Sequence, residues 1–319
     1  MGTLHQLLLR LVILLLLCST LPFAVQGGDP SASEVQLVVL GTLQDGGSPH
    51  AGCRRSCCRE LFAAPPPDRK VVSLGVIDRT TKTTVMFEAS PDMPAQMKML
   101  RNMSGDSARE VPDAVFITHA HIGHYTGLMY LGKEAMDAKS VNVYAMPRLK
   151  SYLETNGPWS QLVRRSNIAL QELQDGRPVQ IGALQVTPRV VPHRDEYSET
   201  VGYRIRGPRK TALFIPDIDK WEKWKVDIVQ EVRSSDYVLI DATFYDAQEL
   251  PGRAMEEIPH PFVVESMKLF DILPAADRAK VIFIHLNHTN PALMPDSEAS
   301  KEIRRRGYGV ARLGDVLGL

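Results

Sequence analysis

The chain has 319 residues, 44 % hydrophobic and 23 % charged, with 37 basic residues balanced by 37 acidic ones. Those proportions describe a water-soluble globular protein long enough to bury a large core of its own. The balanced charge gives no electrostatic reason to expect a nucleic-acid partner or adhesion to an anionic membrane, and favours a small-molecule or peptide substrate.

At the N-terminus, Arg10 precedes an unbroken apolar run from Leu11 to Cys18. Ser19 and Thr20 then interrupt it, and small residues follow around Ala24 to Gly27. This pattern predicts a cleaved secretory signal over residues 1–27 rather than a membrane anchor, which wants about 20 apolar residues. The expected mature protein is exported, periplasmic or secreted, and free of the membrane. Since the signal holds Arg10 and no acid, 36 basic residues then face 37 acidic ones. Residues 28–34 read as a polar linker, and residues 35–319 as a single domain.

Val35 to Leu40 is a β-branched apolar run that predicts a strand. A loop rich in Gly and Pro follows and carries Cys53, Cys57 and Cys58. With Cys18 lost in the signal, three cysteines remain, an odd number for an oxidising compartment. Two readings stand: a structural metal clip of three thiolates with His50 as fourth ligand, or a disulfide from Cys53 to one of its neighbours with one thiol left over.

Next, Val71 to Ile77 and Thr83 to Phe87 predict a hairpin. Met93 to Met103 predicts a helix capped by Asp92. Ala114 to Thr118 is a short strand, Leu128 to Ala138 a helix, Val141 to Ala145 a strand and Pro147 to Asn156 a helix. In the second half, strands are expected at 168–173, 184–191, 201–205, 212–215, 237–240 and 281–284. Helices are expected at 221–232, 261–273 and 298–306. Strands outnumber helices and occur in groups, which suits two sheets with helices outside.

The chemistry concentrates in Thr118-His119-Ala120-His121-Ile122-Gly123-His124. Three of the chain's nine histidines fall within these six positions, 119–124. His119 and His121 are two apart, which in extended chain puts both imidazoles on one side. Gly123 then lets the chain turn before His124. Converging imidazoles suit a borderline metal such as zinc or iron. Single ligand-type residues recur after apolar runs: His193, Asp217 and His285. Together with the cluster they make six candidate ligands.

In this order the six residues resemble the H-x-H-x-D-H signature and downstream ligands of the metallo-β-lactamase superfamily. The resemblance covers residues 35–319 and implies a four-layer αββα sandwich. It is closest to the branch containing coenzyme PQQ synthesis protein B, through Leu40-Gly41-Thr42-Leu43-Gln44-Asp45-Gly46-Gly47 and Ile284-His285-Leu286-Asn287-His288-Thr289-Asn290-Pro291. It implies that His119, His121 and His193 hold a first metal, that Asp217 bridges, and that His124 and His285 serve a second. Gly123 stands where the signature has an aspartate that ligates the second metal. One tight zinc site is therefore expected, with the second weak or absent. The export signal also departs from what cytosolic cofactor synthesis needs.

The resemblance further implies metal-assisted hydrolysis of an ester, amide, lactone or phosphodiester. Asp217 would hold or deprotonate a water, and His260 would protonate the leaving group. Asp241 is expected to orient an imidazole, and Asp45 and His288 to line the cleft. Two rival readings are a mononuclear iron oxidase or hydroxylase and a non-catalytic metal-binding protein.

Overall fold

The computed structural model describes residues 34–319 apart from Ser107. The expected secretory signal lies outside the described residues. Two seven-stranded sheets form the molecule. The first is built from β1 (Val35–Gly41), β2 (Ser73–Asp78), β3 (Thr83–Phe87), β4 (Ala114–Phe116), β5 (Val141–Ala145) and β6 (Ile168–Glu172). The second holds β7 (Val179–Ile181), β8 (Leu184–Val190), β9 (Val201–Arg206), β10 (Thr211–Ile215), β11 (Tyr237–Asp241), β12 (Val281–Ile284) and β13 (Gly309–Val310). The last strand, β14 (Val316–Gly318), returns to pair with β1 in the first sheet.

The helices are α1 (Ser56–Arg59), α2 (Met93–Ser104), α3 (Ile122–Tyr125), α4 (Pro147–Thr155), α5 (Trp159–Arg164), α6 (Ile228–Arg233), α7 (Val263–Phe270), α8 (Ala275–Arg278) and α9 (Glu298–Arg305). Three apolar layers hold the parts together. Between the sheets, Phe87 stacks on Phe116 with ring centroids 5.3 Å apart, and Tyr203 and Phe214 pack against Phe87 from the other sheet. Outside the first sheet, Met93, Met97 and Leu100 of α2 and Leu149 and Leu153 of α4 belong to one apolar layer. Outside the second, Trp221, Val229, Met267, Phe270 and Ile303 cover β10 to β12. The order is α, β, β, α, the sandwich expected from the sequence. No helix among the described residues is long and apolar enough to cross a membrane.

Several expected elements change shape. The helix at 128–138 is only a 3-10 turn, Thr126–Leu131. Gly132 ends it, and the backbone N–H groups of Ala135 and Asp137 both fold back onto the Gly132 carbonyl. The helix at 221–232 splits into a 3-10 turn at Trp221–Lys223 and α6. Asp227 restarts the chain by accepting a hydrogen bond from the Val229 N–H at 2.8 Å, an N-cap that competes with a continuous helix. Asp92 does not cap α2 with its side chain; its carboxylate accepts from the Val71 N–H at 2.8 Å. Strands β7, β13 and β14 and helices α1, α3, α5 and α8 were not anticipated; they are short and carry no strong period.

Sheet direction determines where the site forms. In the first sheet β1, β3 and β4 run the same way, because β2 is antiparallel to both β1 and β3 while β4 is parallel to β3. In the second, β8, β10, β11 and β12 run together by the same logic. The C-terminal end of each of these strands carries a ligand-type residue. The two sheets are tied at this edge by Val201 N–H to the Thr118 carbonyl at 3.1 Å, and by Leu286 N–H to the Thr42 carbonyl at 2.8 Å.

Candidate metal centre

Asp45 follows β1, Glu88 follows β3 and His119, His121 and His124 follow β4. His193, Asp217, Asp241 and His285 follow or end β8, β10, β11 and β12. Rigid strands thus bring together residues scattered over most of the chain. His119, His121, His193 and Asp217 offer one ligand atom each within 4.8 Å of one another. Asp45, His124, Asp217 and His285 do the same within the same limit. Asp217 belongs to both groups. Its Oδ2 lies 3.5 Å from His119 Nε2 and 3.8 Å from both His124 Nε2 and His285 Nε2, the position of a bridging carboxylate.

The imidazoles are oriented by two matching relays. Thr118 Oγ1 donates to Glu88 at 2.6 Å and accepts from His119 Nδ1 at 2.9 Å. Thr243 Oγ1 donates to Asp241 at 2.7 Å and accepts from His285 Nδ1 at 2.9 Å. Both relays fix the tautomer that leaves Nε2 free as a ligand. His121 is reversed: its Nε2 donates to Glu196 at 3.1 Å, so Nδ1 faces inward. His119 Nε2 and His121 Nδ1 then meet lone pair to lone pair at 2.8 Å, an arrangement that a shared cation relieves.

The charges point the same way. Glu88, Asp217 and Asp241 are buried and Asp45 nearly so, and buried charges must be paired or hold a metal. Burial opposes ionisation of Asp217 and Asp45, yet the surrounding imidazoles hold both carboxyls well below the usual range. Burial presses His119 well below its ordinary pKa and His193 down to about 4, so both are neutral donors. Burial also pulls on His124, but Glu88 and Asp45 outweigh it and raise the ring well above its ordinary value. The two carboxylates demand a cation there, and a metal on Nε2 supplies one. Asp45 Oδ1, His124 Nε2, His193 Nδ1 and Nε2, Asp217 Oδ1 and His285 Nε2 are all buried without a hydrogen-bond partner. Few buried polar atoms go unpaired in native proteins; the Asp45, His124 and His285 atoms face one another, while Asp217 Oδ1 lies 3.4 Å from His193 Nε2.

His260 sits beside this centre. Its Nδ1 donates to Asp241 at 2.9 Å and lies 3.1 Å from Asp217 Oδ1. Burial lowers its pKa, but the two carboxylates raise it further, to about 10. Asp241, expected to orient an imidazole, orients this one and also accepts from the Ile218 and Thr243 N–H groups. Tyr125, Trp159, Tyr152 and the exposed Tyr197 form an aromatic series with neighbouring centroids 4.8 to 5.9 Å apart, running from the core beside His124 out to the surface.

Three expectations are corrected. Asp45 joins the His124–His285 group instead of merely lining the cleft, so the second position has a carboxylate of its own. The fourth member of the cysteine group is His288, not His50: Cys53, Cys57, Cys58 and His288 offer ligand atoms within 4.8 Å. His50 instead packs against His288 with tilted rings, centroids 4.4 Å apart, and donates its backbone N–H to Cys58 Sγ. The disulfide is absent, since the three thiols are free and Sγ atoms stand 3.9 and 4.0 Å apart. Glu88 was overlooked, although it shows the same signal, an acid just after an apolar strand. It and His285 both adopt positive φ, 78° and 65°, backbone strain of the kind stored at functional sites.

Two sheets packed face to face, with histidines and carboxylates gathered at one shared strand edge, define a metallo-hydrolase-type fold. Residues 83–286 match the beta-lactamase superfamily domain, and the chain belongs to the metallo-β-lactamase superfamily. Coenzyme PQQ synthesis protein B of Ruegeria pomeroyi is 28 % identical over 305 residues, covering 88 % of this chain and 98 % of that protein. The crystal structure of Zn2+-bound PqqB from Methylobacterium extorquens superposes with a TM-score of 0.71 at 22 % identity, covering 89 % of this chain and 100 % of that one. A diphosphatase of the PhnP family gives 0.62 at 20 % identity, with 89 % and 96 % covered.

Proposed function

We propose that the protein is an exported metal-dependent hydrolase acting on an ester, amide, lactone or phosphodiester. Export rests on the composition of residues 1–27 alone. The observation that carries hydrolysis is the pair of buried donor sets sharing Asp217, with ligand atoms that have no hydrogen-bond partner. Zinc fits this set of imidazoles and carboxylates. When bound, it acidifies a coordinated water and polarises the bond to be cleaved.

The chain's own groups do the rest. His119 and His193 offer neutral nitrogens, and Thr118 and Glu196 hold the rings of His119 and His121. Asp217 is kept ionised by the surrounding rings and is the acceptor for the water's proton. His260, whose Nδ1 is held by Asp241, is the donor to the leaving group. The aromatic series ending at Tyr197 gives the substrate an apolar wall.

Asp45 beside His124 and His285 gives a second donor set its own carboxylate, which supports the hydrolase over a mononuclear iron oxidase or hydroxylase. Likeness to coenzyme PQQ synthesis protein B over nearly its whole length supports a second reading, a step in making that cofactor. Zinc-loaded protein screened against p-nitrophenyl esters, lactones and bis(p-nitrophenyl) phosphate tests the first. Turnover that vanishes in His119→Ala supports it. Silence across the panel, with restored cofactor synthesis in a bacterium lacking its PQQ synthesis protein B, favours the second.

A further inference from the structure

Gly123 lies on α3, one residue before His124. A Cβ built on it would stand 2.2 Å from Asp45 Oδ1 and 2.7 Å from Asp45 Cα. No side chain can occupy position 123 while Asp45 keeps its place. The carboxylate of Asp45 fills the space into which a residue at 123 would project.

The geometry points to Asp45 as the carboxylate ligand of a second metal ion, reaching in from the loop after β1 through the gap that Gly123 leaves open. This rests on the metal-dependent reading above. Asp45 Oδ1 lies 3.0 Å from His124 Nε2 and 3.8 Å from His285 Nε2. All three atoms are buried and lack a hydrogen-bond partner. Asp217 Oδ2 completes the set 3.8 Å from each ring.

The loop is not placed there by chance contact. Gln44 N–H donates to the Leu286 carbonyl at 2.9 Å, and Leu286 N–H donates to the Thr42 carbonyl at 2.8 Å. These bonds fix the chain just before Asp45 to the residue just after His285. The carboxylate and its imidazole neighbour therefore move as one unit. Two dications near a single shared Asp217 would leave a large excess of positive charge, and Asp45 supplies a second buried negative charge where it is needed. The sequence departs from the superfamily signature at 123, yet the donor set is restored from the loop after β1.

Zinc per chain is measured by mass spectrometry on full-length wild type, Asp45→Asn and His119→Ala, after identical dialysis against a weak chelator. Asp45→Asn keeps the size of the side chain, so folding is preserved. The cysteine group contributes equally to all three proteins and cancels. Asp45→Asn is expected to hold one zinc fewer than wild type while keeping the zinc at His119, His121 and His193. Anomalous scattering from zinc-loaded wild-type crystals should place an ion in bonding contact with Asp45, His124 and His285. Equal zinc in Asp45→Asn and wild type, or an ion at His124 without contact to Asp45, overturns the inference. Hydrolysis is assayed separately. Turnover with a single zinc in the histidine centre sinks the Asp45 assignment and leaves the hydrolase. Two ions with Asp45 bound and no turnover on any substrate does the reverse.

Discussion

The histidine centre and the cysteine group share two loops, yet they are opposite in kind. The loop after β1 carries Asp45 to one and Cys53, Cys57 and Cys58 to the other. The segment after β12 carries His285 to one and His288 to the other. In the histidine centre, His119, His124, His285 and Asp217 are buried, and the rings are aimed by hydrogen-bonded carboxylates. In the cysteine group Cys53, Cys57 and His288 are half-buried, only Cys58 is fully covered, and the scaffold is a single-turn helix. A closed set of three thiols and one imidazole suits structural zinc, whereas the shared Asp217 and a nearby His260 suit chemistry. The second group can thus act as a staple that holds both loops of the first in place.

The sharpest way to break this contrast is to remove one ligand from each side. His119→Ala should lower kcat/KM by about 10³-fold or more, since the metal contributes several kcal/mol to the transition state. Circular dichroism and the melting temperature of the metal-free protein should change little. Cys58→Ala should do the opposite. It should lower the Tm of zinc-loaded protein by about 5–10 °C, from a metal contribution of about 3 kcal/mol, while zinc at His119, His121 and His193 stays. A calorimetric scan with metal analysis reads both.

Asp241→Asn sharpens the histidine side. It takes the acceptor from His260 and from Thr243, which orients His285, and should cost about 10–100-fold in kcat/KM or zinc affinity. Titrating zinc into both proteins separates the two effects. Glu249 sharpens the cysteine side, because it accepts from Thr289, the residue after His288. Burial raises its pKa to about 7 despite that bond and one from the Tyr245 N–H. A raised carboxyl pKa makes ionisation harder in the folded chain than in the unfolded one, so stability is lost as pH climbs towards 7. Wild type should lose about 1–2 kcal/mol more than Glu249→Gln between pH 5 and 7.5, read by urea unfolding.

The histidine centre was legible because its grammar is local. Apolar strands such as Ala114–Phe116 and Val281–Ile284 end in a ligand, and sheet direction gathers those ends at one edge. The cysteine group hid its fourth member because sequence reasoning favours neighbours. His50 is three residues from Cys53, but His288 reaches it only through the pairing of Leu43 with Leu286. Asp45 escaped as a ligand for a related reason. Gly123 reads as a loss when only the motif is considered, and the compensating carboxylate comes from a loop about 80 positions earlier. The helices expected at 128–138 and 221–232 failed where Gly132 and Asp227 impose turns that apolar spacing does not reveal.

The central claim is that the histidine centre holds the working metal. Its most direct test is the metal content of protein purified without added metal and under nitrogen, with His119→Ala and Cys58→Ala alongside. The account predicts zinc in wild type, with a share lost in His119→Ala that differs from the share lost in Cys58→Ala. Iron as the metal lost in His119→Ala, or no metal lost there at all, would contradict it.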